Sequence, residues 1–285
     1  MSTATAIPAY AGYQHFVVSS PGVGLAHVEI NRPKKLNAFS HPVWLEFGRV
    51  FEQLSADTDV RAVVLSGAGD RAFTAGLDVQ ASAGDNAVFG AKGDVARRAK
   101  MLRAHIEEFQ NCIAAVEKCE KPVICVLHGV SYGLAIDIAC CADIRICAAD
   151  TRFSVKEVDI GIPADIGTLA RLPKIVGSHS WVKDVCMTAR DFSADEARQE
   201  GFVSRVLPDK AAAVGAAVAL AGVLADKSPV AVQGTKELIN HGREHGTVDT
   251  LRYTAVWNSV VVQSEDMVKG LTSRLTRKKP TYEKL

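Results

Sequence analysis

Apolar, β-branched runs at 25–30, 62–66, 122–127 and 143–147 run into turn segments and are separated by longer stretches of helical spacing. Runs of this kind alternating with helices predict crossover β-α-β units. Between the first two runs, Val43, Trp44, Phe47, Val50, Phe51 and Leu54 recur at helical spacing behind Ser40, a residue type suited to an N-cap. The spacing predicts a helix with one face on a sheet. Beyond about residue 165 the strand pattern thins to 203–207, and helical stretches at 194–200, 210–224, 229–241 and 248–262 take over. The expected architecture is α/β, with a β/α core over 1–205 and a helical C-terminal region over 206–285. Neither a repeat nor an interdomain linker interrupts the pattern.

A hydrophobic share of 48% over 285 residues is enough to bury a large core and excludes a mainly disordered chain. Lys and Arg total 33 against 32 acidic residues, so no global field favours nucleic acid, and an anionic ligand must be held by local geometry. The seven cysteines are odd in number, sit mostly in apolar runs and lack paired CxxC spacing, which predicts reduced core thiols. Of the eight histidines only His241 and His245 stand at i, i+4, without the glutamate of a metalloprotease motif, and no metal site is expected. No apolar run approaches the roughly 18 residues of a membrane span. The segment 1–13 has neither a charged signal-peptide start nor an Arg-rich presequence. The basic tail 274–279 reads as a solvated end.

Two strand-to-helix junctions have the makings of an anion site. The stretch from Pro122 to Asp137 reads as a buried strand, a turn around Gly129 and a helix starting near Tyr132 or Gly133. The first N–H groups of a helix have no internal acceptor and sit at the positive end of its dipole, which makes Leu134 N–H a candidate donor. Asp137 follows one turn later on about the same face. In the second junction, Arg71-Ala-Phe-Thr-Ala-Gly-Leu-Asp78, Gly76 permits a sharp turn and Leu77 N–H is the second candidate donor to one oxygen. On spacing alone both turns read equally as plain crossovers, with Asp78 and Asp137 as surface or capping carboxylates.

Farther on, Glu157 and Asp165 stand among Val155, Val158, Ile160, Ile162 and Pro163, company that would desolvate a carboxyl and raise its pKa into a useful acid–base range. The alternative is structural. Asp165 is placed to N-cap a helix beginning at Ile166, and Asp159 to meet a nearby Lys or Arg.

Taken in order, Asn31-Arg-Pro-Lys-Lys-Leu-Asn-Ala38, Phe73-Thr-Ala-Gly-Leu-Asp78, Lys121-Pro-Val-Ile124, His128-Gly129 and Ala142-Asp-Ile-Arg145 resemble the signature blocks of the crotonase (enoyl-CoA hydratase/isomerase) superfamily over roughly residues 14–275. Within it, Val155-Lys-Glu-Val-Asp-Ile-Gly161, Ala164-Asp-Ile-Gly-Thr-Leu169, Arg171-Leu-Pro-Lys174 and Lys227-Ser-Pro-Val-Ala-Val-Gln-Gly234 look like the Δ3,5-Δ2,4-dienoyl-CoA isomerases.

The resemblance implies a crotonase-like β/α spiral core with a helical C-terminal trimerisation region. It also implies a homotrimer or dimer of trimers and acyl-CoA substrates of fatty-acid β-oxidation. Coenzyme A would be part of the substrate and no separate cofactor would be needed. By position the oxyanion donors fall on the backbone N–H groups of Leu77 and Leu134, and the three acidic positions on Asp137, Glu157 and Asp165. Substrate contacts are implied at Lys35, Ala75, Gly76, Asp78, Val79, Gln80, Gly133 and Ala135. One departure stands out: the family usually has Gly-Gly-Gly where this chain reads Gly133-Leu134-Ala135, so the leucine is expected to fill space that glycine leaves open for the thioester.

The reaction so implied moves a proton from C2 of a 3,5-dienoyl thioester, through Glu157, and delivers one to C6, through Asp165, while Asp137 polarises the pocket. The rivals on the same fold are an enoyl-CoA hydratase, a Δ3-Δ2-enoyl-CoA isomerase and a catalytically idle scaffold. The chain ends Glu283-Lys-Leu285, one residue short of the Ser-Lys-Leu peroxisomal address, which points weakly to peroxisomes against a mitochondrial or cytosolic location.

Overall fold

The computed structural model describes residues 5–79, 81 and 93–285. Its strands are β1 (Thr5–Ala6), β2 (Phe16–Ser20), β3 (Leu25–Ile30), β4 (Ala62–Gly67), β5 (Ala72–Thr74), β6 (Val123–Leu127), β7 (Val130–Tyr132), β8 (Ile144–Ala148), β9 (Arg152–Ser154), β10 (Phe192–Ser193) and β11 (Arg205–Leu207). Among the described residues they form two sheets, one ordered β1-β2-β3-β4-β6-β8-β11 and one ordered β10-β9-β7-β5. From β3 to β11 the larger sheet is parallel, and β5, β7 and β9 are parallel in the smaller one.

The chain therefore visits the two sheets in turn: β4 then β5, β6 then β7, β8 then β9. Helices close the coils of this spiral. Helix α1 (His41–Ala56) precedes β4, α2 (Val95–Lys118) precedes β6, and α3 (Leu134–Cys141) follows β7. Ser40 stands at the N-cap of α1 as the pattern predicts, but its side chain makes no capping hydrogen bond.

The central strands are buried on both faces, which is why they read as unbroken apolar runs. Val63 and Leu65 of β4 face the main core with Phe47, Phe51 and Ile113, whereas Ala62 and Val64 face the opposite side. There they meet Ala213, Ala217, Ala221 and Ala225, spaced four apart on one helix.

The remaining helices are α4 (Thr168–Ile175), α5 (His179–Thr188), α6 (Ala194–Gln199), α7 (Lys210–Ala225), α8 (Pro229–Glu244), α9 (Thr247–Val261) and α10 (Glu265–Thr276). Helix α7 carries the alanine row that covers the larger sheet. Helices α9 and α10 bury no residue and leave Val248, Leu251, Val256, Val260, Met267, Val268, Leu271 and Leu275 exposed. Part of the tail expected to be a solvated end is thus the last turn of α10, and Lys279 beyond it pairs with Asp226 at 2.7 Å. All seven cysteines are free thiols, six of them buried. No single helix among the described residues is long and apolar enough to cross a membrane.

Candidate active site

The turn after β5 is pinned by its own sequence. Thr74 Oγ1 donates to Asn37 O at 2.8 Å and accepts from Gly76 N at 3.1 Å. Ala75 N donates to Leu36 O, Phe39 N to Gly76 O, and Asp78 N to Phe39 O. Every neighbouring amide is thus engaged, and Leu77 N–H is absent from the donors to described backbone or side-chain acceptors.

The second junction lies against the first. Tyr132 is the last residue of β7, so α3 begins at Leu134, slightly later than the pattern predicts. As the first helical residue, Leu134 has an N–H with no acceptor inside the helix. Gly76 has φ +93°, and a Cβ there would stand 3.0 Å from Tyr132 O and 3.5 Å from Leu134 N. This left-handed backbone and close approach require glycine, and they bring the two loops together. Gly133 (φ +53°) does the same on the other side, where a Cβ would lie 3.3 Å from Glu157 Oε1.

The three acids meet here. Asp137, on α3, is 1% exposed. Its Oδ1 accepts from Thr168 N at 2.7 Å and from Thr168 Oγ1 at 2.8 Å, so it caps helix α4 from 31 residues away. Burial pushes its pKa up to about 6, against the lowering effect of the two Thr168 bonds. Glu157 opens a 3-10 turn, Glu157–Ile160, after β9. Burial first, then the charge of Asp137, pushes its carboxyl up to about 7, and its Oε2 is buried without a hydrogen-bond partner. Asp165 is half-buried, with its pKa raised by burial, and its backbone carbonyl accepts from Gln110 Nε2 of α2 at 2.5 Å.

Several expectations change. Asp165 does not cap a helix: α4 starts at Thr168 with Gly167 at its N-cap. Of the apolar residues flanking Glu157, Val158, Ile160 and Ile162 are 38%, 60% and 43% exposed, whereas Val155 is buried in the main core. Residues distant in sequence also act on it: Gly133 lies against Glu157 Oε1, the charge of Asp137 raises the Glu157 carboxyl, and the Glu157 charge in turn raises the Cys186 thiol. Leu134 does not stand open in the site. Its side chain is 4% exposed and belongs to the main core, as does that of Ala135.

Asp78 is buried and not a surface carboxylate: it pairs with Arg32 at 3.3 Å and accepts from Ala81 N, three residues on, at 3.2 Å, the contact that the capping alternative calls for. Asp159 meets Lys156 at 3.7 Å, as its alternative reading has it. Lys35 and Val79 are exposed, and Gln80 lies outside the described residues. Spacing did not reveal Thr168, nor the grouping of His41, His105 and Glu108, whose potential ligand atoms lie within 4.8 Å of one another on α1 and α2.

The Leu77 and Leu134 N–H groups on adjoining loops, next to three carboxyls of raised proton affinity, form an arrangement that can hold a developing oxyanion and move protons on carbon beside a carbonyl. The family model for enoyl-CoA hydratase/isomerase matches residues 21–284, and the chain belongs to that family. Among its curated relatives, the mitochondrial Delta(3,5)-Delta(2,4)-dienoyl-CoA isomerase of Homo sapiens is 44% identical over 277 residues, 96% of this chain and 84% of that one. The peroxisomal Delta(3,5)-Delta(2,4)-dienoyl-CoA isomerase of Arabidopsis thaliana is 38% identical, over 91% of this chain and 92% of that one. Among solved structures, an enoyl-CoA hydratase from Bacillus anthracis superposes with a TM-score of 0.85 at 25% identity, covering 95% of this chain and 99% of that one.

Proposed function

We propose that the protein isomerises 3,5-dienoyl-CoA to 2,4-dienoyl-CoA in fatty-acid β-oxidation, with Leu77 N–H and Leu134 N–H as the oxyanion hole. The observation that carries this reading is the buried, unpartnered Glu157 Oε2, held near neutral pKa beside the charge of Asp137. With the thioester oxygen between the two amides, C2–H becomes acidic, and the Glu157 carboxylate takes that proton. Electron density then spreads along C2 to C6 as a dienolate. Asp165 delivers a proton to C6, and the double bonds settle at C2–C3 and C4–C5. Asp137 keeps a negative charge near Glu157, which strengthens it as a base. One proton leaves and one arrives with no change in oxidation state, so CoA enters as part of the substrate and the balance calls for no cofactor. Lys35, Ala75, Gly76, Asp78, Val79, Gln80, Gly133 and Ala135 complete the proposed substrate-binding set, with Asp78 acting through the loop it holds.

The test is incubation with a 3,5-dienoyl-CoA while absorbance of the diene conjugated to the thioester is followed. An isomerase builds that absorbance, a hydratase or a Δ3-Δ2-enoyl-CoA isomerase does not, and an idle scaffold leaves the spectrum unchanged.

The assembly we propose is a homotrimer or dimer of trimers. Its support is the set of exposed apolar side chains on α9 and α10, helices that bury no residue within the single chain. Light scattering coupled to size exclusion should give three or six times the 30.4 kDa of one chain, and a monomeric mass would overturn the assembly.

For location we propose the peroxisome, on the terminal Glu283-Lys-Leu285. The named relatives are divided, one mitochondrial and one peroxisomal. A reporter carrying the last dozen or so residues should become punctate and overlap a peroxisomal marker, whereas diffuse signal from that fusion and from the full chain would exclude this address.

A further inference from the structure

Thr168 is fully buried and gives both of its donors, the backbone N–H and the hydroxyl, to the same Asp137 oxygen. The proposed proton shift assigns no step to this threonine, and an N-capping contact needs only the N–H. From this double bond, and resting on the proposed reaction, we infer that Thr168 is a positioning residue that sets the charge of Asp137 and, through it, the basicity of Glu157.

The physical chain has two links. A hydroxyl donating to a buried carboxylate favours its ionised form, whereas burial alone favours the neutral one. Asp137 sits at that balance, with burial raising its pKa to about 6 and the Thr168 hydroxyl and amide opposing the rise. The second link is Coulombic, because the ionised Asp137 raises the proton affinity of Glu157.

The other charges around Asp137 do not take over this task. Asp165 opposes its ionisation and Arg171 of α4 favours it, but Arg171 is already tied to Glu117 of α2 at 2.8 Å, and Glu117 also pairs with Arg243 of α8 at 2.9 Å. Cys140 and Cys141 on α3 and Cys186 on α5 are neutral thiols at physiological pH, held well above the usual thiol range by burial. Thr168 is thus a neutral group that holds a negative charge next to the base without pairing that charge away.

The isosteric variant Thr168→Val keeps the shape and the backbone N–H but removes the hydroxyl, and Thr168→Ser restores the hydroxyl. In Thr168→Val, Asp137 takes up a proton more readily, Glu157 loses the stronger of its two negative neighbours while Asp165 remains, and its own pKa falls. The acidic limb of the kcat/KM profile on 3,5-dienoyl-CoA should therefore move to lower pH by on the order of one unit. The plateau should drop by about tenfold because the base is weaker. Thr168→Ser should return both to the wild-type values.

A merely structural role would lower the plateau or the melting midpoint in Val and leave the limb in place, which would overturn the inference. Infrared titration of carboxyl bands, with isotope-labelled aspartate and Asp137→Asn as the assignment control, reads the same effect without turnover. The Asp137 midpoint should rise in Thr168→Val and stay at the wild-type value in Thr168→Ser, and an unmoved midpoint in Val would overturn the inference. Wild-type protein that fails to turn over dienoyl-CoA while the infrared midpoint moves would reject the reaction and retain the coupling.

Discussion

Replacing Asp165 by Asn is expected to lower dienoyl isomerisation by about 10²–10⁴-fold, the range for one positioned proton-transfer group. The variant should nevertheless still exchange the C2 proton with deuterated solvent. Removal of that proton needs the oxyanion donors and Glu157, whereas completion of the shift needs a proton at C6. Glu157→Gln should lose isomerisation to a similar extent, and C2 exchange with it. Because Glu157 is a base only when ionised, and its carboxyl is held at about 7, wild-type activity should fall as pH drops below that value.

The same burial has a stability consequence whose sign is opposite to the usual acidic case. A glutamate with a folded pKa above its unfolded one binds more protons in the native state, so its contribution to stability is lost as pH rises from about 4.5 to about 7. Glu157→Gln should therefore melt no lower than wild type at pH 8. An inactive Gln variant that also melts lower would mark Glu157 as a structural residue. Asp165 caps no helix, so Asp165→Asn should change the melting midpoint little. Wild-type isomerisation in that variant would remove Asp165 from the mechanism.

What could be read ahead of the structure follows from burial. Strands β3, β4, β6 and β8 carry apolar residues on both faces, and such apolar-rich stretches, unbroken over Val123–Leu127 in β6, are legible on their own. The smaller sheet was not legible, because β5, β7, β9 and β10 are two or three residues long and show no period. Helix α2 was blurred for another reason: its first half is exposed, and its buried residues, Phe109 and Ile113 to Val116, crowd into the second half.

At the site, the resemblance supplied the residue types, but their physics was tertiary. Most of the apolar run around Glu157 turns outward, with Val155 buried, and the charge of Asp137 and the close approach of Gly133 come from a distant helix and its start. A partner 31 residues away, as Thr168 is from Asp137, leaves no local spacing to read.

Leu134 is where this distinction has its largest effect on stability. Read as a sequence, a leucine in place of glycine narrows a substrate site, and Leu134→Gly would widen it at no cost to the fold. The side chain is instead packed in the main core at the start of α3, so the same substitution removes four buried carbons and leaves a cavity under the helix that carries Asp137. Truncating a buried leucine destabilises by about 2–5 kcal/mol, according to how far the surroundings collapse. Glycine at the first helical position adds backbone freedom to the unfolded chain. The oxyanion N–H survives the change, because every residue but proline has one. Leu134→Gly is therefore expected to shift the denaturation midpoint clearly downward, while kcat/KM ratios between short and long dienoyl-CoA substrates stay as in the wild type. Wild-type stability together with a gain on bulkier acyl chains would show that the leucine faces the ligand.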